Sequence, residues 1–144
     1  MITGIGIDLI EIARVERAFE RFGDRYRNRI FTPEEQAFCD TFRKPIERFA
    51  ARWSAKEAAV KALGTGFTRG IRWVDIAVLP NALGQPLLHL VGRAAEIARE
   101  QGVRAAHVSL SHGRDHATAI VVLSSSPPEG PLARFDPFAE IGEE

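Results

Sequence analysis

Two carboxylates and a lysine are the first residues in this chain that could do chemistry together. Asp8 closes an apolar run from Ile2 to Ile7, and Glu57 and Lys61 stand four residues apart in Arg52-Trp-Ser-Ala-Lys-Glu-Ala-Ala-Val-Lys61. Singly, each has an ordinary reading. Asp8 can cap a following helix, and Glu57 to Lys61 is an i, i+4 ion pair worth about 0.3–0.5 kcal/mol on an exposed face. Taken together, the two acids could instead ligate one hard cation: Mg²⁺ is held by one or two carboxylates while substrate phosphates and waters complete its shell. Lys61 would then lie beside that phosphate. Arg52 and Lys56 stand one turn apart on a neighbouring stripe, so two adjacent stripes can face one anion-rich cleft or form a solvated surface. Gly64 and Gly66 follow at once and permit close approach of a ligand to backbone amides, although Gly-Thr-Gly lacks the length and lysine of a P-loop.

Two further groups carry polar chemistry. His107, Ser109 and Ser111 alternate onto one face of a strand, with Val108, Leu110 and His112 on the other. No G-x-S-x-G elbow accompanies these serines, which removes a serine-nucleophile reading. A histidine and hydroxyls can donate to a phosphate, or form a plain polar strand face. Arg14, Arg17, Arg21 and Arg25 line one side of the segment after Asp8, either as a solvated face or as a surface for an acidic partner.

The elements that must position these residues are legible from periodicity and stop signals. Ile2 to Ile7 reads as a strand ended by Asp8, with Gly4 and Gly6 marking close backbone approach. Leu9, Ile12, Val15, Phe19 and Phe22 then recur at helical spacing up to Gly23. Thr32-Pro33-Glu34-Glu35 caps a second helix, which Pro45 ends or interrupts. Residues 46–63 form a long helix closed by Gly64, burying Phe49, Trp53, Ala59, Val60 and Leu63. Trp73 to Leu79 is a strand, residues 81–86 a turn, 87–90 an apolar segment, and 92–101 a helix closed by Gly102. Strands at 107–112 and 117–123 complete a domain over residues 1–124. The Pro/Ser-led acidic tail, 125–144, is expected to be partly disordered, the alternative being docking through Leu132, Phe135, Phe138 and Ile141.

Composition narrows the classes. The chain has 144 residues, 45% hydrophobic and 26% charged, enough for one core without disulfides. Its single cysteine, Cys39, offers neither a bridge nor a metal cluster and fits a reducing compartment. The longest late apolar run, Ala117 to Leu123, is too short to span a bilayer, and Asp8 and Glu11 interrupt the start, so neither membrane insertion nor export is expected. Zero net charge hides a gradient: residues 1–72 carry 14 basic and 10 acidic groups, 73–124 carry 4 of each, and 125–144 carry 1 and 5. The basic part lacks interleaved exposed aromatics, which disfavours nucleic acid.

These blocks, in this order, resemble the bacterial-type holo-acyl-carrier-protein synthase family of 4′-phosphopantetheinyl transferases. The resemblance rests on Gly4-Ile-Gly-Ile-Asp8-Leu-Ile-Glu-Ile-Ala-Arg14, Arg29-Ile-Phe-Thr-Pro-Glu-Glu35, Arg52 through Gly66, Gly84-Gln-Pro86 and His107-Val-Ser-Leu-Ser-His112, and it spans about residues 4–123. It implies an α+β fold, a small antiparallel sheet packed with helices, and commonly a homotrimer with active sites at subunit interfaces. The implied reaction moves 4′-phosphopantetheine from coenzyme A to a serine of apo acyl carrier protein in the cytoplasm, for fatty acid or polyketide synthesis. By the same resemblance Asp8 and Glu57 hold Mg²⁺, and Lys61 neutralises the pyrophosphate. Either Glu57, directly or through water, or a water on the metal would take the serine proton, with Glu57 the preferred reading. Arg52 and His107 hold the 3′-phosphate, Gly84 and Pro86 pack on adenine, and Lys56 and Gly64 add to the coenzyme site. Arg14, Arg17, Arg21 and Arg25 then meet the acidic carrier protein. Two other readings use part of the pattern: a Mg²⁺-dependent nucleotide phosphohydrolase and a non-catalytic adaptor for acidic proteins.

Overall fold

The longest helix organises the molecule. It runs from Pro45, whose missing N–H is no loss in a first helical turn, to Leu63, and Gly64 closes it in the left-handed region at φ 77°, ψ 12°. The computed structural model describes residues 1–139 and 141. Among these, five strands and five helices follow in order: β1 (Ile2–Glu11), α1 (Ile12–Phe22), α2 (Asp24–Ile30), α3 (Pro33–Cys39), α4 (Pro45–Leu63), β2 (Ile76–Pro80), β3 (Pro86–Leu90), α5 (Gly92–Glu100), β4 (Ala105–His112) and β5 (His116–Ser124). This is the expected α+β arrangement. None of the described helices is long and apolar enough to cross a membrane.

Strands β1, β5 and β4 form an antiparallel sheet in that order, and β2 and β3 form a separate hairpin. The sheet lies close on α4 because small residues meet there. A Cβ on Gly4 would fall 2.0 Å from the Ala62 carbonyl oxygen, and one on Gly6 would fall 1.8 Å from that of Ala58. Alternation then directs Asp8 and Ile10 toward α4, with Ala117, Ala119 and Val121 beside them, and leaves Ile5, Ile7, Leu9 and Ile120 exposed on the outer face. A second core cluster fills the space under α1 to α3, where the fully buried Phe31 and Phe49 rings meet edge-on at 4.8 Å.

Several boundaries differ from the sequence expectation. Asp8 does not end its strand: its backbone pairs with Ala119 and the ladder continues to Glu11 opposite His116. Leu9 is therefore a strand residue, and α1 begins at Ile12. The chain turns sharply at Gly23, which puts Arg25 on α2 rather than on the stripe of α1. Pro45 starts a helix instead of ending one, since α3 already stops at Cys39. A 3₁₀ turn over Trp73–Asp75 precedes β2.

Residues 125–139 lie against the body of the protein, the arrangement named as the alternative for this tail. Ser125 N–H donates to Met1 O at 2.7 Å, Leu90 N–H donates to Pro137 O at 2.8 Å, and Phe138 packs against the main core. Ile141 is half-buried. Residues 140 and 142–144, part of the tail reading, lie outside the described residues.

Candidate active site

The glycine-lined contact between β1 and α4 brings Asp8 to the face of α4 that carries Ser54, Glu57 and Lys61. Ser54 Oγ donates to Asp8 Oδ2 at 3.1 Å. Lys61 Nζ donates to Asp8 Oδ1 at 3.1 Å and to Ile7 O at 3.0 Å. Asp8 is largely enclosed, 12% exposed, while Lys61 keeps 51% of its side chain in solvent. The Glu57 carboxyl titrates above its ordinary range, first because burial penalises the charged form and next because Asp8 is a negative neighbour; Lys61 and Arg14 oppose the shift. Two residues 49 positions apart thus share one electrostatic site. Among the described residues no three His, Cys, Asp or Glu side chains gather into a metal cage, so the donor set here is a carboxylate pair. That set suits Mg²⁺, which takes its remaining ligands from phosphate and water, and a divalent cation would relieve the repulsion between the two acids.

A second site forms on the other side of α4. Arg48, Ala51 and Arg52 meet Leu110 and His112 of β4 and the end of the β2–β3 hairpin, Pro80, Gly84 and Pro86, around a cavity of about 310 Å³. The Arg48 guanidinium contacts His112 Nε2, and Glu47 Oε2 lies 3.6 Å from His112 Nδ1. Arg52 is anchored by donating through Nε to Val78 O at 3.1 Å, and its guanidinium lies over the Phe38 ring at 4.6 Å. Burial lowers its pKa, yet an arginine stays charged. Two guanidiniums and an imidazole give this pocket a cationic lining suited to an anionic group, beside a wall of proline and glycine.

The structure places some predicted residues elsewhere. Lys56 is fully buried and bonded to Glu35 Oε1 at 2.7 Å, with carbonyl acceptors on Trp73 and Ile76. It opens on neither site, because it points to the side of α4 that packs on α3 and β2. His107 lies on the exposed outer face of the sheet, whereas His112, five residues on, points inward to the pocket. An odd spacing in a strand puts two residues on opposite faces, so the imidazole beside Arg52 is that of His112 and not that of His107. Arg48 and His112 are the members that sequence reasoning missed. The His107-to-His112 block did contain one of them, on the face opposite to His107. Gly64 is exposed one turn beyond Lys61. Arg14, Arg17, Arg21 and Arg25 are exposed, and Arg14 reaches the first site, 6.0 Å from the Trp53 ring and close enough to act on Glu57.

Residues 4–121 match the model of the 4′-phosphopantetheinyl transferase superfamily. The chain belongs to that superfamily. Its similarity to individual members is extensive: it is 46% identical over 123 residues to holo-acyl-carrier-protein synthase of Koribacter versatilis, covering 85% of this chain and 98% of that one. Among solved structures, the holo-acyl-carrier-protein synthase of Neisseria meningitidis superposes with a TM-score of 0.78 at 36% identity, covering 86% of this chain and 99% of its own. That of Helicobacter pylori, solved in complex with coenzyme A, gives 0.74 at 30% identity, covering 83% and 99%. The two candidate sites on α4 are thus a carboxylate pair with a lysine and a pocket carrying two arginines and a histidine.

Proposed function

We propose that this chain transfers the 4′-phosphopantetheine group of coenzyme A to a serine hydroxyl of an apo acyl carrier protein and releases adenosine 3′,5′-bisphosphate. The observation that carries the reading is the convergence of Asp8, Glu57 and Lys61 from a strand and a helix distant in sequence. The serine oxygen attacks the β-phosphorus, the bond to the bridging oxygen breaks, and the nucleotide leaves with the electron pair. Such a step depends on positioning and charge neutralisation, because the nucleophile approaches an already anionic phosphorus. Asp8 and Glu57 would hold Mg²⁺, which would supply Lewis-acid neutralisation of pyrophosphate charge. Lys61, held by Asp8 and Ile7 O, places its ammonium at the same oxygens. Glu57 accepts the serine proton, directly or through water.

The second pocket binds the other end of coenzyme A. Arg48, Arg52 and His112 take the 3′-phosphate in the role first assigned to His107, and Gly84 and Pro86 pack on the adenine. The exposed Gly64 turn remains a backbone contact for the coenzyme, whereas Lys56 serves the fold. Arg48 and Glu57 are nine residues apart, about two and a half helical turns, so they lie on opposite sides of α4. One coenzyme molecule therefore bridges the pocket of one protomer and the carboxylates of another. The exposed outer face of Ile5, Ile7, Leu9 and Ile120 supplies the apolar surface for such an assembly, and a closed trimer is the arrangement we assign. Arg14 borders the carboxylate site and, with Arg17, Arg21 and Arg25, receives the acidic carrier protein, which fits work in the cytoplasm on fatty acid or polyketide carriers.

Chromatography of the nucleotide products tests this reading. Adenosine 3′,5′-bisphosphate should appear from coenzyme A and Mg²⁺ only when apo carrier protein is present. Release at an equal rate without the carrier would make the chain a phosphohydrolase instead.

A further inference from the structure

The superfamily match ends at Val121, but the chain continues and folds back onto the body. Where it lands bears on the nucleotide pocket. Strands β2 and β3 pair only with each other among the described residues; Ile76, Val78, Leu88 and Leu90 anchor the hairpin in the main core, while its turn end projects beyond that packing. Its end is tied locally: Leu83 and Gln85 N–H donate to Asn81 Oδ1 at 2.9 and 3.0 Å. One side of this hairpin end, Pro80, Gly84 and Pro86, forms a wall of the nucleotide pocket. The other side, with Leu83, Leu87 and His89, faces Leu132 and Phe135 of the tail across a cleft of about 830 Å³.

The tail is fastened there at three kinds of contact. Pro137 O accepts the Leu90 N–H at 2.8 Å, which covers the last outward N–H of β3. The Phe135 ring stands edge-on to His89 at 5.2 Å. Asp136 Oδ1 accepts the Phe138 N–H at 2.9 Å in a tight turn, which sends Phe138 against the core beneath the Arg99 guanidinium, 4.5 Å from the ring.

We propose that residues 130–139 are a strap across β3 that holds the β2–β3 hairpin in place as a wall of the nucleotide pocket, so that this C-terminal extension sets affinity for the adenosine end of coenzyme A. The inference rests on the reading of that pocket as the coenzyme site. Without the strap, Leu90 N–H loses its acceptor and the hairpin end samples more conformations, so ligand binding must order it at a cost in affinity. Asp8, Glu57 and Lys61 sit on the opposite side of α4 and do not feel the change. Phe135 and Phe138 are therefore positioning residues for binding and not for the chemical step.

Calorimetric titration with adenosine 3′,5′-bisphosphate, hydrogen exchange and steady-state kinetics test this on the full chain, a form ending at Ser126, and the Phe135→Ala/Phe138→Ala variant. The altered forms should bind the nucleotide about five- to tenfold more weakly and show a raised KM for coenzyme A. Their kcat and KM for carrier protein should be unchanged, and amides 79–90 should exchange faster while those of β1 and α4 do not. Phe135→Tyr should restore binding in an otherwise intact chain. Unchanged nucleotide affinity, or faster exchange spread evenly through the core, would overturn the strap. If the shortened form does not fold, the point variants carry the same comparison. A full chain that fails to bind the nucleotide would refute the coenzyme reading of the pocket, and exchange at 79–90 would then decide the strap alone.

Discussion

At the scale of single residues, Glu57 is placed where function and stability oppose each other. Its carboxyl pKa is raised by burial and by Asp8, so the protonated form is favoured in the fold. The stability this contributes is present below the ordinary carboxylate range and is lost as pH rises through the raised folded value. Glu57→Gln removes a disfavoured charge and should raise Tm at pH 7 but not at pH 3, while reducing kcat by about two or more orders of magnitude. A lowered Tm at pH 7 would show that the charge is compensated. Asp8→Asn should bring the Glu57 titration in metal-free protein down toward its ordinary range, as read by carboxyl NMR, because the negative neighbour is gone. At the other pocket, Arg48→Ala or His112→Ala removes a charge-assisted contact worth about 1.5–3 kcal/mol, or roughly tenfold to a hundredfold in the KM for coenzyme A. The KM for carrier protein should not move with it. His107→Ala should leave both constants alone.

At the scale of elements, two contacts decide whether the site exists. Gly6→Ala drives a methyl into the Ala58 carbonyl oxygen, and backbone has little room to yield, so β1 must lift from α4. The expected cost is about 3 kcal/mol by chemical denaturation, with activity lost in the folded fraction because Asp8 moves away from Glu57. The second contact is Lys56 with Glu35, both fully buried. Lys56→Met strands the Glu35 charge, and denaturation should show a loss of about 3–5 kcal/mol. Coenzyme affinity should persist at temperatures where the variant remains folded; a selective rise in the KM for coenzyme A would return Lys56 to the binding site. These contacts also mark what the sequence could convey. The Thr32/Glu35 capping box, the start and stop of α4, and the close approach at Gly4 and Gly6 follow from local chemistry. Glu35 as the counter-ion of a lysine 21 residues away does not, because only tertiary packing joins α3 to α4. Asp8 looked like a strand terminus because an aspartate is poor in strands; its burial beside Ser54 overrides that propensity. His112 was visible as a strand residue, but which face of β4 met Arg52 depended on the side of the sheet that α4 covers.

At the scale of the whole molecule, the two candidate sites back onto each other across α4, and the proposed reading therefore requires a neighbour. Mixing inactive Glu57→Gln protein with weakly binding Arg48→Ala/His112→Ala protein, then allowing subunits to exchange, should recover activity, since some interfaces then pair an intact pocket with intact carboxylates. No recovery despite exchange would mean that one protomer holds a complete site. Reversing charge at the proposed docking face, Arg14→Glu, should raise the KM for carrier protein and weaken its dependence on salt. The interior should be chemically silent: Cys39, fully buried, has its thiol pushed up to about 12, so thiol reagents should label the native protein only after unfolding. The central claim is that Asp8 and Glu57 jointly serve transfer from a pyrophosphate to a serine. Mass spectrometry of apo acyl carrier protein after incubation with the enzyme, coenzyme A and Mg²⁺ tests it most directly. The expected result is the added mass of one phosphopantetheine on a single serine, absent with Asp8→Asn or Glu57→Gln; an unmodified carrier, or equal modification by those variants, would contradict it.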